Sequence, residues 1–196
     1  MVMKEKINRL QINTTDLKGV LQINHDPFED ARGSFSRVFS LEDLDSFLPR
    51  TQISQVNISQ NPLKGTIRGM HFQTETAPDT KIIRCLSGSI LDVVIDVRPE
   101  SETFLQSQTF HLNSINKNGL LVPHGFAHGF QTLQTDTSIL YLHTSQYVAS
   151  SQRTLNPFDP IFDLTWPIDD PTISEKDMTA NFLTDEDIFD GLQKLR

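Results

Sequence analysis

The chain of 196 residues contains one cysteine, Cys85, and only 17 lysines and arginines against 25 aspartates and glutamates. A single cysteine can form neither an intrachain disulfide nor a cysteine-based metal cluster. The formal net charge is −8 at pH 7, and no run of basic residues is present. Nucleic acids and anionic membrane surfaces attract proteins through clustered positive charge. We therefore expect neither of them as a partner.

Long apolar runs are also missing, since the longest, such as Gly119–Val122, are far too short to span a bilayer. The N-terminal sequence MVMKEKINRL has no apolar core of the kind found in a signal peptide. No internal repeat, low-complexity tract or flexible linker interrupts the chain. We therefore predict one domain over residues 1–196, located in the cytoplasm.

Alternating and β-branched segments predict a mainly β protein. The candidate strands are 20–23, 35–39, 82–86, 90–97, 108–112, 120–122 and 138–143. Ser87-Gly88-Ser89 separates two of them, which predicts a hairpin with Gly88 at positive φ. Short strands at this spacing are typical of a sandwich or barrel.

Helical patterns are few and short. Ser40 followed by acidic residues predicts a capped helix from Leu41 to about Leu48, before Pro49. A second helix is predicted from Asp185 to Leu195, where Ile188, Leu192 and Leu195 recur at helical spacing. Lys194 and Arg196 stand at its C-terminal end, where positive charge interacts favourably with the helix dipole. Both helices would lie at the periphery of a β core.

Two glycine-bearing segments, 55–73 and 122–130, hold most of the chemically active side chains. The first carries Arg68 and His71 on either side of Gly69. Their odd spacing would put them on opposite faces of a regular strand, so a bend or bulge at Gly69 is needed to bring both to one site. The second carries His124 and His128. An isolated histidine more often has a structural role, but this clustering favours a site.

The pattern Pro123-x-Gly125-x-x-His128 matches the second half of the signature of cupins, which are small double-stranded β-helix barrels. Metal-binding cupins add a His-x-His pair and a glutamate, whereas here His71 is followed by Phe72 and Gln73. A divalent metal usually needs three protein ligands, and His71, Gln73 and His128 would be a weak set. We therefore predict no metal and no other cofactor.

A series of motifs in order along the chain resembles the dTDP-4-dehydrorhamnose 3,5-epimerase family, the metal-independent cupins of nucleotide-sugar metabolism. The resemblance covers about residues 20 to 180. The matching pieces are Asp30-x-Arg32-Gly33-x-Phe35, Gln55-Val56-Asn57-x-Ser59, Gly65-x-x-Arg68-Gly69-Met70-His71-Phe72-Gln73, Lys81-Ile82-Ile83, Gly88-x-x-x-Asp92-Val93-x-x-Asp96-x-Arg98-x-x-Ser101-x-Thr103, Val122-Pro123-x-Gly125-Phe126-Ala127-His128-Gly129-Phe130, Tyr141 through Tyr147, Trp166-Pro167 and Ser174-Glu175-Lys176-Asp177.

This resemblance implies a cupin-type jelly-roll barrel that epimerises a nucleoside-diphosphate 4-keto-6-deoxy sugar at C3, C5 or both, as in the rhamnose branch of carbohydrate and lipopolysaccharide biosynthesis. The C4 ketone acidifies the neighbouring C–H groups, so a base can form an enolate and an acid can reprotonate it on the opposite face. By the family pattern His71 is the base, Asp177 pairs with it, Tyr141 is the acid and Lys81 stabilises the enolate oxygen.

The resemblance also implies the substrate contacts and the assembly. The implied substrate-binding residues are Arg32, Gln55, Asn57, Ser59, Arg68, His128 and Lys176. Family members are homodimers in which an N-terminal strand joins the partner's sheet and lends residues to its site. Arg32, with Phe28 and Phe35, would then reach the neighbouring subunit's nucleotide.

The chain departs from the rhamnose-pathway pattern at three positions near the nucleoside. Arg37 replaces a glutamate that helps to hold thymine, Gln146 replaces one of two adjacent aromatics, and Gln152 replaces a carboxylate. The residues for the sugar chemistry are kept. The nucleotide and sugar therefore stay open, as do a 3,4-ketoisomerase, a metal-dependent cupin and a non-catalytic sugar-nucleotide binding protein.

Overall fold

The computed structural model describes residues 10–192, and almost all regular structure within them is β. The strands are β1 (Leu10–Thr14), β2 (Leu21–His25), β3 (Phe28–Asp30), β4 (Gly33–Phe35), β5 (Gln55–Asn61), β6 (Ile67–Gln73), β7 (Lys81–Ser87), β8 (Ser89–Asp96), β9 (Ser107–Asn113), β10 (Gly119–Val122), β11 (Phe126–Thr132), β12 (Thr137–His143) and β13 (Gln152–Thr154). The helices are α1 (Leu41–Leu44), α2 (Glu175–Met178) and α3 (Asp185–Phe189), with a 3₁₀ turn at Pro160–Phe162.

The strands form two antiparallel sheets and a separate hairpin. One sheet has the order β1-β2-β10-β7-β12-β5, and the other has the order β13-β6-β11-β8-β9. The hairpin consists of β3 and β4. Most neighbours in the sheets are distant along the chain, as in a jelly roll. The predicted mainly β, cupin-type fold with a few short peripheral helices is confirmed.

The main core lies between the two sheets. Ile83 and Ile139 from the six-stranded sheet pack in one buried cluster with Val94 and Phe130 from the five-stranded sheet. Side chains of this kind alternate along strands, so each sheet presents an apolar inner face. Burying each of them contributes about 1.5–3 kcal/mol to the transfer free energy that stabilises the sandwich.

The C-terminal segment covers the outer face of the five-stranded sheet. Leu155 and Phe162 belong to a second buried cluster there, against which Trp166 packs. Thr172 forms a parallel bridge to Thr66, and its carbonyl accepts a hydrogen bond from the Ile67 N–H at 2.9 Å. These contacts hold the segment that ends in α2 alongside β6, which matters for the site described below.

Most predicted strands are present, but one is much shorter than predicted. The predicted hairpin at Gly88 is confirmed, with φ +73. The predicted strand over 35–39 is wrong beyond Phe35, because the chain ends the β3–β4 hairpin there and continues without regular structure to α1.

Both predicted helices are too long. The first ends at Leu44 rather than near Leu48, and a tight turn follows, in which the Phe47 N–H bonds to the Leu44 carbonyl at 2.9 Å. The second ends at Phe189, and Gly191 follows at φ +67. The predicted continuation through Lys194, Leu195 and Arg196 lies outside the described residues. None of the helices in residues 10–192 is long and apolar enough to cross a bilayer.

Candidate active site

A cavity of about 810 Å³ opens between the two sheets. Its walls come from β5, β7 and β12 on one side, from β6, β11 and β13 on the other, and from residues 172–177. The volume falls within the range of pockets that enclose small ligands, about 300–1,000 Å³.

Of the eleven predicted site residues, all except Arg32 line this cavity. They are Gln55, Asn57, Ser59, Arg68, His71, Lys81, His128, Tyr141, Lys176 and Asp177. They come from five strands and from α2, so the fold assembles them from positions up to 122 residues apart, that is 177 − 55.

A β-bulge in β6 brings Arg68 and His71 to the same cavity. His128 of β11 pairs with His71, and Phe130 pairs with Arg68, so a step of two residues in β11 faces a step of three in β6. Gly69 lies at the bulge with φ +121, and a Cβ there would come within 2.6 Å of the Gly129 Cα. The predicted bend at Gly69 is confirmed.

His71 and Asp177 form a hydrogen-bonded pair, with 2.7 Å between Nε2 and Oδ1. Burial raises the pKa of Asp177, but hydrogen bonds from His71 and from the Gly69 N–H outweigh burial and hold that pKa below its usual range. An ionised carboxylate only accepts hydrogen bonds, so His71 donates from Nε2. Its Nδ1 is then the ring nitrogen left for a proton transfer.

Helix α2 positions Asp177 for this pairing. Ser174 caps the helix, and its hydroxyl oxygen accepts a hydrogen bond from the Asp177 N–H at 3.1 Å. The other carboxylate oxygen accepts from the Gly69 N–H at 3.3 Å. Asp177 therefore joins the C-terminal segment to the bulge that presents His71.

A second imidazole–carboxylate pair lies deeper in the cavity wall. His128 Nε2 is 2.8 Å from Asp92 Oδ2. Burial raises the pKa of Asp92, and the neighbouring His128 and Lys81 act in the opposite direction. The other oxygen, Oδ1, has no hydrogen-bond partner among the described residues. Asp92 belongs to one of the motifs quoted above but is not among the predicted site residues.

Tyr141 lies on β12, in the wall formed by the six-stranded sheet. Its ring makes an edge contact with His128, with 6.1 Å between centroids. Burial and the nearby Asp92 raise the pKa of the Tyr141 hydroxyl far above its usual value, although Arg68 lowers it somewhat. The hydroxyl is therefore protonated at neutral pH and is able to donate a proton.

Lys81 contacts the backbone of His71. Its Nζ donates a hydrogen bond to the His71 carbonyl oxygen at 3.1 Å. Burial lowers the pKa of the ammonium group, while the charges of Asp79 and Asp92 favour its protonated form. An ammonium group has three donors, so Lys81 keeps donor capacity for a ligand oxygen.

The polar side of β5 faces the same cavity. Gln55, Asn57 and Ser59 alternate along this strand and line the cavity together. Asn61, at the end of the strand, accepts a hydrogen bond from Arg68 Nε at 2.8 Å. The guanidinium group is thus held in place, and its remaining N–H groups are suited to bind anionic oxygens.

Arg32 lies on the β3–β4 hairpin and does not reach the cavity of its own chain. It pairs with Asp30 at 2.6 Å, and its side chain is 87% exposed. Both residues belong to the same short hairpin, so the pair holds the turn locally. Nothing else in the described residues brings Arg32 toward the cavity.

The three positions that depart from the family pattern have identifiable contacts. Arg37 pairs with Asp43 of α1 at 3.2 Å and does not line the cavity. Gln146 donates to the Ser54 hydroxyl at 2.7 Å. Gln152 lines the cavity and accepts a hydrogen bond from the Tyr147 hydroxyl.

Several cavity residues were missed by sequence reasoning. Gln73 donates to the carbonyl oxygens of Ala77 and Gln146 and accepts from the Val148 N–H, so it fixes the loop that carries Tyr147. His143 and Asp79 form a third imidazole–carboxylate pair. His143 follows Tyr141 by two residues on one strand, and this spacing alone predicts that both side chains face the same way.

A β sandwich that holds a carboxylate-paired imidazole, a phenol and an ammonium group around one small-molecule cavity has the layout of a proton-transfer enzyme. The comparisons with known proteins specify the class. The model of the family described as dTDP-4-dehydrorhamnose 3,5-epimerase matches residues 14–185. The dTDP-4-dehydrorhamnose 3,5-epimerase of Sinorhizobium fredii is 36% identical over 173 residues, which are 88% of this chain and 89% of the relative.

Solved structures give the same result. One is the dTDP-4-dehydrorhamnose 3,5-epimerase of Bacillus anthracis, which was solved with TDP and PPi bound. It is 33% identical to this chain with a TM-score of 0.85, and the match covers 89% of this chain and 99% of the B. anthracis chain. The Legionella pneumophila enzyme, in complex with dTDP-4-keto-L-rhamnose, is 29% identical with a TM-score of 0.84 over 92% and 97%. The chain belongs to the dTDP-4-dehydrorhamnose 3,5-epimerase family, and its predicted assignment to the epimerases, within the isomerases, is confirmed.

Proposed function

We propose that this protein epimerises a nucleoside-diphosphate 4-keto-6-deoxy sugar by removing a proton next to the ketone and returning one to the opposite face. The observation that carries the proposal is that His71, paired with Asp177, lines one cavity together with Tyr141 and Lys81. A base, an acid and an oxyanion-stabilising cation are the groups that this reaction needs. The related B. anthracis and L. pneumophila enzymes were solved with a thymidine nucleotide or a dTDP-sugar bound.

His71 acts as the base in this proposal. Its Nδ1 takes the proton from C3 or C5 of the sugar while Nε2–H stays bonded to Asp177. The carboxylate holds the ring in one tautomer and stabilises the imidazolium that forms. Because the pKa of Asp177 lies below its usual range, the carboxylate remains ionised throughout the neutral range.

Tyr141 and Lys81 complete the reaction. The electron pair of the broken C–H bond moves into the enolate, and the C4 oxygen becomes the oxyanion. Lys81 donates a hydrogen bond to that oxygen, an effect of about 2.7–4 kcal/mol where single oxyanion donors have been removed in enzymes. Tyr141 then gives its hydroxyl proton to the carbon from the opposite face. Its phenolate regains a proton from solvent, and the His71 imidazolium releases to solvent the proton that it took.

The remaining polar residues bind the diphosphate and the sugar. Arg68, held by Asn61, and Lys176 supply positive charge for the phosphates. His128 and the polar side of β5, which consists of Gln55, Asn57 and Ser59, contact sugar or phosphate oxygens. This cluster supplies local positive charge in a chain whose net charge is −8, and attraction at contact distance is little screened by salt.

Solvent exchange tests this function directly. The protein incubated in D₂O with dTDP-4-keto-6-deoxyglucose is expected to incorporate deuterium at C3, C5 or both, because each enolate is reprotonated from solvent-derived hydrogen. Mass spectrometry and NMR locate the label and so decide which carbon is epimerised. A 3,4-ketoisomerase would instead move the carbonyl group, which product analysis distinguishes.

The same assay across nucleotides tests specificity. Gln146 and Gln152 stand where relatives keep other groups, so GDP-, CDP- and UDP-linked analogues are assayed in parallel. Exchange with one of these but not with the dTDP sugar would assign a different nucleotide to the same chemistry. Absence of exchange with all four would refute the epimerase proposal and leave a binding protein.

We further propose that the active form is a homodimer in which Arg32 enters the partner's cavity. Three observations support an exchanged hairpin. Phe28 and Phe35 are 59% and 75% exposed beside Arg32 on the β3–β4 hairpin. β5 lies at a sheet edge next to the cavity, and Val56 and Ile58 on it are also exposed. Exposed apolar side chains and an open edge are features that a partner normally covers.

Light scattering is expected to give about 45 kDa, twice the mass of 22.3 kDa.

Coexpression of an Arg32→Ala chain with a His71→Asn chain gives the sharper test. If Arg32 acts on the partner, mixed dimers regain one intact cavity, with His71 from one chain and Arg32 from the other. Equal inactivity of the mixed and the parent proteins, with each variant folded, would place the Arg32 contact within its own chain.

We propose three further features of the protein. The protein works in the cytoplasm, because a single cysteine suits a reducing compartment, and cell fractionation tests this. It needs no metal, and no group of three or more His, Cys, Asp or Glu within residues 10–192 is arranged to hold one. Metal analysis of active protein tests that. Residues 1–196 fold as one domain, for which we expect a single thermal transition.

A further inference from the structure

The third imidazole–carboxylate pair at the cavity has no role in the proposed reaction. His143 Nδ1 is 2.7 Å from Asp79 Oδ2, and the other carboxylate oxygen accepts a hydrogen bond from the Ser145 N–H at 3.2 Å. The Asp79 side chain is only 4% exposed, and that of His143 is 19% exposed. Both residues line the same cavity as His71.

This pair lies directly beside the proposed acid. His143 and Tyr141 are two residues apart on β12, and their rings stack with 5.9 Å between centroids and 20° between planes. His71 lies on β6 in the other sheet, and among the described residues the ring of His143 contacts Asp79 and Tyr141 and not His71. His143 therefore contacts the group that protonates the enolate and not the group that forms it.

Asp79 holds His143 in one orientation. With Nδ1 bonded to a buried carboxylate, the imidazole ring cannot turn without breaking that bond, and Ser145 fixes the carboxylate in turn. Asp79 also acts on Lys81, whose protonated form its charge favours. One carboxylate thus supports two cavity residues on the Tyr141 side.

A purely structural reading fits this pair poorly. Removing a carboxylate and an imidazole from water is costly, and well-packed apolar residues usually stabilise a fold at least as well as a buried ion pair. The pair nevertheless stands at a cavity wall, where its ring packs on a reactive side chain. This placement, at a cavity and against another polar side chain, points to a role in the site.

Building on the proposed function, we propose that His143, held by Asp79, is a positioning residue that orients Tyr141 for protonation of the enolate. The stacked imidazole restricts the plane of the phenol and so aims its hydroxyl at the carbon. Proton transfer depends steeply on this geometry. Loss of His143 should therefore impair the return of the proton from the Tyr141 face and spare its removal by His71.

Two quantities measured in D₂O separate these steps. One is deuterium in recovered substrate, which reports removal and return of a proton on the His71 face. The other is deuterium in the epimerised product, which requires the Tyr141 face. His143→Asn keeps an N–H donor for Asp79 but removes the ring, and we expect it to lower the ratio of epimerisation to exchange by about tenfold or more, since a misplacement of about 1 Å costs up to 10²-fold.

His143→Phe provides the complementary variant, because it keeps a ring against Tyr141 and removes the bond to Asp79. Its ratio should lie between those of His143→Asn and the unmodified protein. His111→Phe, an exposed histidine on β9 outside this cavity, is the matched control and should leave the ratio unchanged. Circular dichroism and the unfolding temperature establish that each variant is folded.

The double variant with Tyr141→Phe decides whether His143 acts through Tyr141. In that background His143→Asn should have no further effect on either quantity, because the group that it positions is gone. An additive effect, an unchanged ratio in His143→Asn, or an equal fall in exchange and epimerisation would each overturn the proposal. Absence of exchange in the unmodified protein would instead refute the proposed function, so the two failures are distinguishable.

Discussion

Replacement of His71 by asparagine is expected to abolish both deuterium exchange and epimerisation, lowering kcat by about 10³-fold, within the 10²–10⁴-fold range of a general base. The asparagine side chain still has a donor for Asp177 and fits the same space, so the fold and the bulge in β6 should persist. What disappears is the ring nitrogen, Nδ1, that accepts the carbon-bound proton in the proposed reaction. Both C3 and C5 exchange should fall together, measured by NMR in D₂O.

His124→Asn is the matched control for this variant. His124 is exposed in the turn between β10 and β11 and does not line the cavity. It belongs to the same glycine-bearing segment as His128, so it tests whether histidines in these motifs matter in general. Exchange within a few-fold of the unmodified rate in His71→Asn would contradict the assignment of the base.

Tyr141→Phe is expected to separate exchange from inversion. In the proposed reaction the hydroxyl donates the proton on the face opposite His71, and its raised pKa keeps it protonated. Without it, epimerised product should fall by about 10²-fold or more, the effect of losing a general acid. Deuterium should still enter recovered substrate, because His71 can return a proton to the face from which it removed one.

This second variant has a clear contrary result. If exchange and epimerisation fall equally, Tyr141 would be needed before the enolate forms, for example for substrate binding or ring packing. If neither falls, another group is the acid, and Tyr141 serves only as a contact of His128 and His143. Retained folding is checked by the unfolding temperature, since the lost hydroxyl lies in a buried wall.

The fold was largely predictable because β structure leaves a local pattern. The β-branched runs on either side of Gly88 predicted a hairpin, and the structure has β7 and β8 there with Gly88 at φ +73. Helix ends were less predictable. Leu48 and Leu192 have helical spacing in the sequence, but both helices end earlier. A turn closes after Leu44, with the Phe47 N–H on the Leu44 carbonyl, and the chain turns after Phe189, where Gly191 and Leu192 have positive φ.

The site could be predicted only where motif residues carry the signal. Arg68 and His71 were identified because they lie on either side of Gly69 at an odd spacing, which requires a bend or bulge if both are to face one site. The bulge in β6 meets this requirement. The His143–Asp79 pair was missed because its members are 64 residues apart. No local pattern relates them. They become neighbours only because β12 pairs with β7 in the six-stranded sheet.

By itself, the sequence determined the β architecture, the family and ten of the eleven side chains that it predicted for the cavity, because alternation and glycine-centred motifs are local properties. Only the tertiary structure decided how these side chains pair. In the structure, Asp177 pairs with His71, Asp92 with His128 and Asp79 with His143. Arg32 lies outside the cavity of its own chain. The physical reason is that hydrogen bonds form over about 3 Å in space, whereas the partners are separated by 36 to 106 residues of chain.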